Sequence, residues 1–252
     1  MDRLLKTITE NFDLSNVLEF TVEAGRPDSI TEEKLAVIRK YPVTRISINP
    51  QTLQQKTLDL VGRNHTVAQT KDAFYLARKL GFDNINMDLI IGLPGEGKEE
   101  VAHTLQEVEN LHPDSLTIHS LALKRATRLN LFKDKYEEMS FENSQEIMEM
   151  TQQCARNMGM GPYYLYRQKN IAGNFENVGY AEVDKAGIYN ILIMEEKQTI
   201  LAAGAGASTK FVFEHGTRIE RVENVKDVNN YILRIDEMLE RKRVGIEKYL
   251  NG

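Results

Sequence analysis

Residues 84–93, NINMDLIIGL, are apolar at most positions and run into a Gly-Leu-Pro-Gly turn. A strand with that pattern is covered on both faces, which is how strands of a parallel sheet read. The segments around it repeat the pattern. VLEFTVEAG (17–25), TRISINP (44–50) and SLTIHSLAL (115–123) read as further strands. Helical segments lie between them: TEEKLAVIRK after Thr31, a stretch from Thr66 to Gly81, and one with Val101, Leu105, Val108 and Leu111 on one face. Thr31 is placed to cap the first of these helices, whose acids sit at the positive end of the dipole. Thr66 and Gln69 have capping-box spacing for the second. Strands alternating with helices of this length make βαβ units, so the fold class is α/β with a parallel sheet.

The pattern changes near residue 130. A helix over 142–158 carries Ile147, Met150, Cys154 and Met158 on one stripe. After it, PYYLYRQKN (162–170), AGIYNILIM (186–194), QTILAAGAGAS (198–208) and KFVFEH (210–215) read as short strands without helices between them. A last helix shows Val225, Val228, Ile232, Ile235 and Leu239 at helical spacing. The expected division is an α/β domain over 1–130 and an α+β domain over 131–252, with the border in the charged stretch 128–141.

Composition narrows the function classes. A net charge of −5 and a pI near 5.7 give no electrostatic footprint for nucleic acid. No run reaches the roughly 18 to 20 apolar residues of a membrane span, and no basic start followed by an apolar core directs secretion. One cysteine leaves no internal disulfide and fits a cytoplasmic setting.

Parallel α/β sheets carry their sites at the C-terminal ends of the strands. Four successive strands end in informative residues: Glu23; Asn49, Pro50 and Gln51; Asp88 before the GLPG turn; and Ala122 before Lys124, Arg125 and Arg128. A carboxylate inside a strand is costly unless something satisfies it. Either Glu23 and Asp88 face a common ligand, or they are structural acids paired with Arg26, Arg45 or Arg63. The period of two places Asn86 and Asp88 on one face of their strand, Met87 and Leu89 on the other. His119 reads as a core histidine, and Cys154 as a small buried hydrophobe.

EFTVEAGRPDSIT, RISINPQTLQQKTLDLVGR, NINMDLIIGLPG and the SLALK strand end resemble, in order and spacing, the radical S-adenosylmethionine enzymes related to oxygen-independent coproporphyrinogen III oxidase. YYLYRQKNIAGNFENVGYAE is similar to the HemZ-type coproporphyrinogen dehydrogenase subgroup. The resemblance spans nearly the whole chain. It implies a partial (βα)6 barrel followed by a C-terminal domain, with S-adenosylmethionine across the strand ends against a [4Fe–4S] cluster. On this resemblance Glu23, Gln51, Asp88 and Ala122 would contact S-adenosylmethionine, and Arg63, on the helix after the second strand, would face its methionine carboxylate. The chemistry matches, since the ligand offers an ammonium and a sulfonium to acids and a carboxylate to an arginine.

One departure stands out. The family's CxxxCxxC loop, whose three thiolates hold the cluster, has no counterpart here, where Cys154 is the single cysteine. The opening MDRLLKTITENF is an amphipathic helix with Leu4, Leu5 and Ile8 on one side. The resemblance therefore implies a C-terminal piece lacking the first two βα units, inactive by itself, whose first strand has an open edge prone to self-association. The implied activity of the parent is the oxidative decarboxylation of two propionates of coproporphyrinogen III to give protoporphyrinogen IX, in haem biosynthesis. That tetra-acid needs basic contacts, for which Lys124, Arg125 and Arg128 come first and Arg167 and Lys169 next. The alternative is a haem chaperone. Relatives of that kind have a histidine-containing segment where this chain reads RQKNIAGNFENVGYA, without histidine, which favours the enzyme.

Overall fold

Apolar residues at alternate positions of four parallel strands give this fold its layer structure. The computed structural model describes residues 1–122, 141–167 and 175–251. By internal contacts the chain divides into two units, Met1–Ile188 and Tyr189–Gly252.

In the first unit α1 (Asp2–Asn11) precedes β1 (Thr21–Gly25), α2 (Glu32–Ile38), β2 (Arg45–Ile48), α3 (Gln55–Leu60), α4 (Val67–Lys79), β3 (Ile85–Ile91), α5 (Lys98–Leu111) and β4 (Ser115–Ser120). Then come α6 (Gln145–Asn157), β5 (Gly161–Tyr166) and β6 (Asn177–Ala181). They form one six-stranded sheet in the order β1-β2-β3-β4-β6-β5. β1 to β4 pair in parallel, whereas β6 pairs antiparallel with both β4 and β5.

The helices start where the sequence places them. The Thr31 hydroxyl accepts from the Lys34 amide, and Thr66 and Gln69 form a reciprocal capping box. One face of the sheet is packed against helices: Ile46, Ile48, Ile85, Met87, Leu116 and Ile118 have no accessible surface and Leu89 is 1% exposed. Val101, Leu105, Val108 and Leu111 of α5 and Ile147, Cys154 and Met158 of the α6 segment join the same core. β1 is an edge strand, laddered to β2 alone among the described residues, and it begins at Thr21 rather than at residue 17. In α1 it is Leu5 that docks, while Leu4 is exposed.

The border between units falls after Ile188, not near residue 130, because β6 inserts beside β4 and carries β5 with it into the first sheet. The second unit holds α7 (Ile188–Met194, entered from the border residue), β7 (Ser208–Phe213), β8 (Arg218–Glu223), α8 (Val228–Leu233) and α9 (Ile235–Asn251). β7 and β8 form an antiparallel pair, on which α9 sets Tyr249 against Phe211 and Phe213 at ring separations of 5.4 and 5.2 Å. Gly245 lets that helix approach, since a Cβ there would come within 2.7 Å of the Phe211 ring. Residues 186–194, read as a strand, are helical over 188–194. A short apolar run does not separate the two conformations by itself. Residues 198–207 contribute only an isolated bridge between Ile200 and Lys210, and Gly204 and Gly206 take positive φ there. No helix among the described residues is long and apolar enough to cross a membrane.

Candidate functional site

The face of the sheet opposite the helices is polar, and it is built by the same alternation that builds the core. On β2, Arg45 and Ser47 point away from the Ile46 side, and Asn49 continues the series beyond the strand end. β3 supplies Asn86 and Asp88, and β4 supplies Ser115, Thr117 and His119. The register aligns Glu23 with Ser47, Ser47 with Asn86 and Asn86 with Ser115, a row across four strands. The next row joins Asp88 to Thr117, Thr117 to Gly179 of β6, and Gly179 to Tyr164 of β5.

Asn86 is the hub. Its amide nitrogen donates to Ser47 Oγ at 3.0 Å and to Asp88 Oδ1 at 2.7 Å. Its oxygen accepts from Ser115 Oγ at 3.1 Å and Thr117 Oγ1 at 3.3 Å. Ser47 donates to Asn49 Oδ1 at 2.6 Å, and Asn49 Nδ2 donates to Glu23 Oε2 at 3.4 Å. One continuous network therefore links Glu23 to Asp88, and every hydrogen bond in it lies on the polar face.

The two carboxylates differ. Burial raises the Asp88 carboxyl, but bonds from His119, Asn86 and Thr117 and the charge of His119 outweigh it, leaving the group below the ordinary aspartate range. Glu23 is shifted upward. Desolvation against the sheet is the larger cause and the charge of Asp88 the next, with Arg45, Ser47 and Asn49 opposing. By accessible surface Glu23 is an exposed residue of the edge strand, so its desolvation is local to the carboxylate side that meets Ser47 and Asn49. The repulsion by Asp88 places both acids in one electrostatic site.

His119 is not a core histidine. It stands at the C-terminal end of β4 with Nε2 3.8 Å from Asp88 Oδ2, and the two side chains are 39% and 20% exposed. Tyr164 reaches over the sheet because Gly179 has no Cβ, which would fall 2.0 Å from its ring. Burial, with Tyr163 beside it, pushes the Tyr164 phenol up to about 12, against the effect of a hydrogen bond with Thr117.

At the strand ends Gln51 takes a left-handed backbone, φ 69°. Its N–H donates to Asp88 O at 3.0 Å and its carbonyl accepts from Ile90 N at 2.8 Å, so it extends the ladder beside Asp88. Gly92 and Gly95 turn the chain over the rim with φ of 87° and 76°. Beneath the turn, Thr52 donates to the buried Glu96 at 2.7 Å. Glu96 went unremarked in the sequence, although a carboxylate directly after GLPG was visible there.

The structure thus brings together Glu23, Asp88 and the Gln51 backbone. Arg63 lies in the turn after α3 rather than on a helix, its N–H donating to Leu58 O at 2.9 Å. Ala122 follows β4, half-buried. Arg26 pairs with Asp28 and not with either acid of the face. Arg167 is exposed and pairs with Glu176, while Lys124, Arg125, Arg128 and Lys169 lie outside the described residues. Asn86 was placed on the Asp88 face, but Ser47, Ser115 and Thr117 were missed, though RISIN, INMD and SLTIH all carry polar residues two apart.

The donor set tests the two cofactors differently. Two carboxylates, an amide, an imidazole and an arginine suit the ammonium, sulfonium and carboxylate of S-adenosylmethionine. Three thiolates for an iron–sulfur cluster are not in this chain. The thiol of its single cysteine, Cys154, donates to Leu105 O at 3.7 Å and is pushed up to about 12, mainly by burial. No group of metal-ligating side chains occurs among the described residues.

Residues 3–108 match the radical SAM superfamily. The chain is 49% identical to the oxygen-independent coproporphyrinogen-III oxidase-like protein HemZ of Bacillus subtilis (strain 168), over 98% of this chain and 50% of that protein. It is 27% identical to the heme chaperone HemW of Haemophilus influenzae, over 96% of this chain and 58% of that one. The fold is like that of coproporphyrinogen III oxidase (HemN) from Escherichia coli, described as a radical SAM enzyme. The TM-score is 0.67 and the identity 22%, over 93% of this chain and 52% of that one. The chain spans about half the length of these relatives.

Proposed function

We propose, on the match of residues 3–108 to the radical SAM superfamily, that the polar face of the sheet is one wall of an S-adenosylmethionine site in a protein of the oxygen-independent coproporphyrinogen III oxidase group. The observation that carries this reading is the network joining Glu23 to Asp88 across three neighbouring strands on the polar face. Given an electron from a reductant outside this chain, bound S-adenosylmethionine would supply hydrogen-atom abstraction. The residues of this chain hold and orient it. Asp88 and Glu23 meet its positive groups, Gln51 presents its side-chain amide at the rim, Arg63 receives the methionine carboxylate, and Ala122 contributes backbone beside the base. The cluster is not assigned to this chain, whose single cysteine cannot supply three thiolates.

The substrate in this reading is coproporphyrinogen III, oxidatively decarboxylated at two propionates, in the cytoplasm. Lys124, Arg125, Arg128 and Arg167 are the cations for its carboxylates, and Arg167 would exchange Glu176 for a propionate. The likeness to HemW supports a second reading, haem binding without turnover. Haem titration followed in the Soret region separates the two: saturable binding with no decarboxylation by the whole protein favours the chaperone.

Calorimetric titration of the chain with S-adenosylmethionine tests the site. Asp88→Asn is expected to weaken binding by about 1–3 kcal/mol, as for a charged hydrogen bond to a ligand, with the folded structure retained. Wild-type affinity in that variant, or no binding by the wild-type chain, overturns the reading.

A further inference from the structure

Arg45 is the first residue of β2 and only 4% exposed. Its side chain lies on the polar face and crosses β3 to reach β4, where NH2 donates to Ser115 Oγ at 3.4 Å. Its Nε has no partner, and among the described residues no carboxylate lies within ion-pair distance of it. A guanidinium carries five N–H donors, so this one is buried yet held, among the described residues, by a single long bond. Buried charges of that kind are normally paired, because an uncompensated one is costly. Ionisable groups share its electrostatic surroundings. Glu23 on β1 feels it directly, as does Tyr164 on β5. Asp88 on β3 and His119 on β4 are further ionisable groups of the face.

We propose that Arg45 is a positioning residue, the counter-charge at the floor of the site that opposes the repulsion of Glu23 by Asp88 and keeps Glu23 ionised beside it for a cationic ligand. The inference rests on the S-adenosylmethionine reading for the identity of that ligand, but not for the charge relation itself. Two acids in one electrostatic site oppose each other's ionisation, and a cation beneath them lowers that opposition without occupying either carboxylate. Since neither acid is in direct contact with Arg45, both stay free to turn to a ligand. The single long bond to Ser115 lets the guanidinium adjust as the ligand's charge arrives. A guanidinium is also the cation suited to this depth, being weakly hydrated and charged at all relevant pH.

The test uses the full chain with Arg45→Met, which keeps length and removes charge, and Arg45→Lys, which keeps charge. The Glu23 carboxyl is titrated by carbon-13 NMR, its resonance assigned through Glu23→Gln. Arg45→Met is expected to raise the Glu23 midpoint by about half a pH unit or more, and Arg45→Lys to restore most of it. S-adenosylmethionine affinity in Arg45→Met is expected to fall by about three-fold, the factor that a half-unit shift allows, at pH below the Glu23 midpoint, and to recover as the pH rises and Glu23 ionises. A merely structural arginine would change stability but leave the midpoint in place and lower affinity equally at every pH. That outcome overturns the proposal. If Arg45→Met does not fold, adding Glu23→Gln is expected to restore folding by removing the uncompensated acid, and failure to do so also overturns it. Should the wild-type chain bind no S-adenosylmethionine, the ligand reading fails, while the Glu23 midpoint still decides the role of Arg45.

Discussion

The two faces of the parallel sheet come from the same residues counted alternately, and they do opposite work. The face of Ile46, Met87, Leu89 and Ile118 is closed against helices and has almost no accessible surface. The face of Glu23, Ser47, Asp88 and His119 is polar, networked and partly open. Neighbouring residues on one strand thus answer to different pressures: Leu89 holds the sheet to its helices, and Asp88 would hold a ligand. Because the side-chain period is two, a one-residue slip of β3 would exchange the roles. The ladder from Gln51 to Asp88 and Ile90 fixes that register at the rim.

The sharpest way to break this comparison is to change one face and look for effects on the other. Leu89→Ala is expected to cost about 2–5 kcal/mol in denaturant unfolding, through lost burial and an unfilled cavity, while ligand affinity in the folded fraction stays put. Gly179→Ala comes next. Its Cβ would meet the Tyr164 ring at 2.0 Å, so the ring must leave the polar face, at about 1–3 kcal/mol of overpacking cost. Ultraviolet titration of the phenol is expected to drop from about 12 toward the ordinary tyrosine range as the burial that raises it is lost. An unshifted phenol in that variant would mean that Tyr164 is not seated over β6.

Glu23→Gln should have the smallest effect, and one that depends on pH. The folded-state carboxyl lies above its unfolded value, so the native state binds the extra proton. Stability therefore falls as pH rises from the ordinary glutamate range through the folded value. The variant is expected to flatten that part of the stability profile and to be no less stable than wild type at neutral pH. A wild-type profile that rises across the same window would contradict the assignment. Asp88 has the opposite sign: its carboxyl is held low by His119, Asn86 and Thr117. Its contribution is present above the unfolded aspartate value and is lost as pH falls through the folded one.

The first four strands and their helices were legible because each carries a local signal. Thr31 and Thr66 cap their helices as read, and the α5 stripe is the buried one. Asp88 was legible because a carboxylate in an apolar run is costly wherever it sits. The rest depends on distant partners. Asn177–Ala181 becomes a central strand only because β4 and β5 flank it, and nothing in NVGYA marks that. His119 reads as core within SLTIHSLAL, and only its place opposite Asp88 shows otherwise. Arg45 is an ordinary strand-start arginine in sequence, and its isolation is visible only once Ser115, Glu23 and Asp88 surround it.

The central claim is that the polar face, and not the helix-covered one, is the ligand face. A crystal structure of the chain soaked in S-adenosylmethionine tests it most directly. The account predicts ligand density at the C-terminal ends of β1 to β3, with a positively charged group of the ligand in hydrogen-bonding or ion-pair contact with the Asp88 carboxylate and Glu23 on the same side. Ligand bound elsewhere, or an Asp88 carboxylate turned from the cleft onto an arginine with Glu23 more than about 10 Å away, beyond strong direct interaction at ordinary ionic strength, would contradict it.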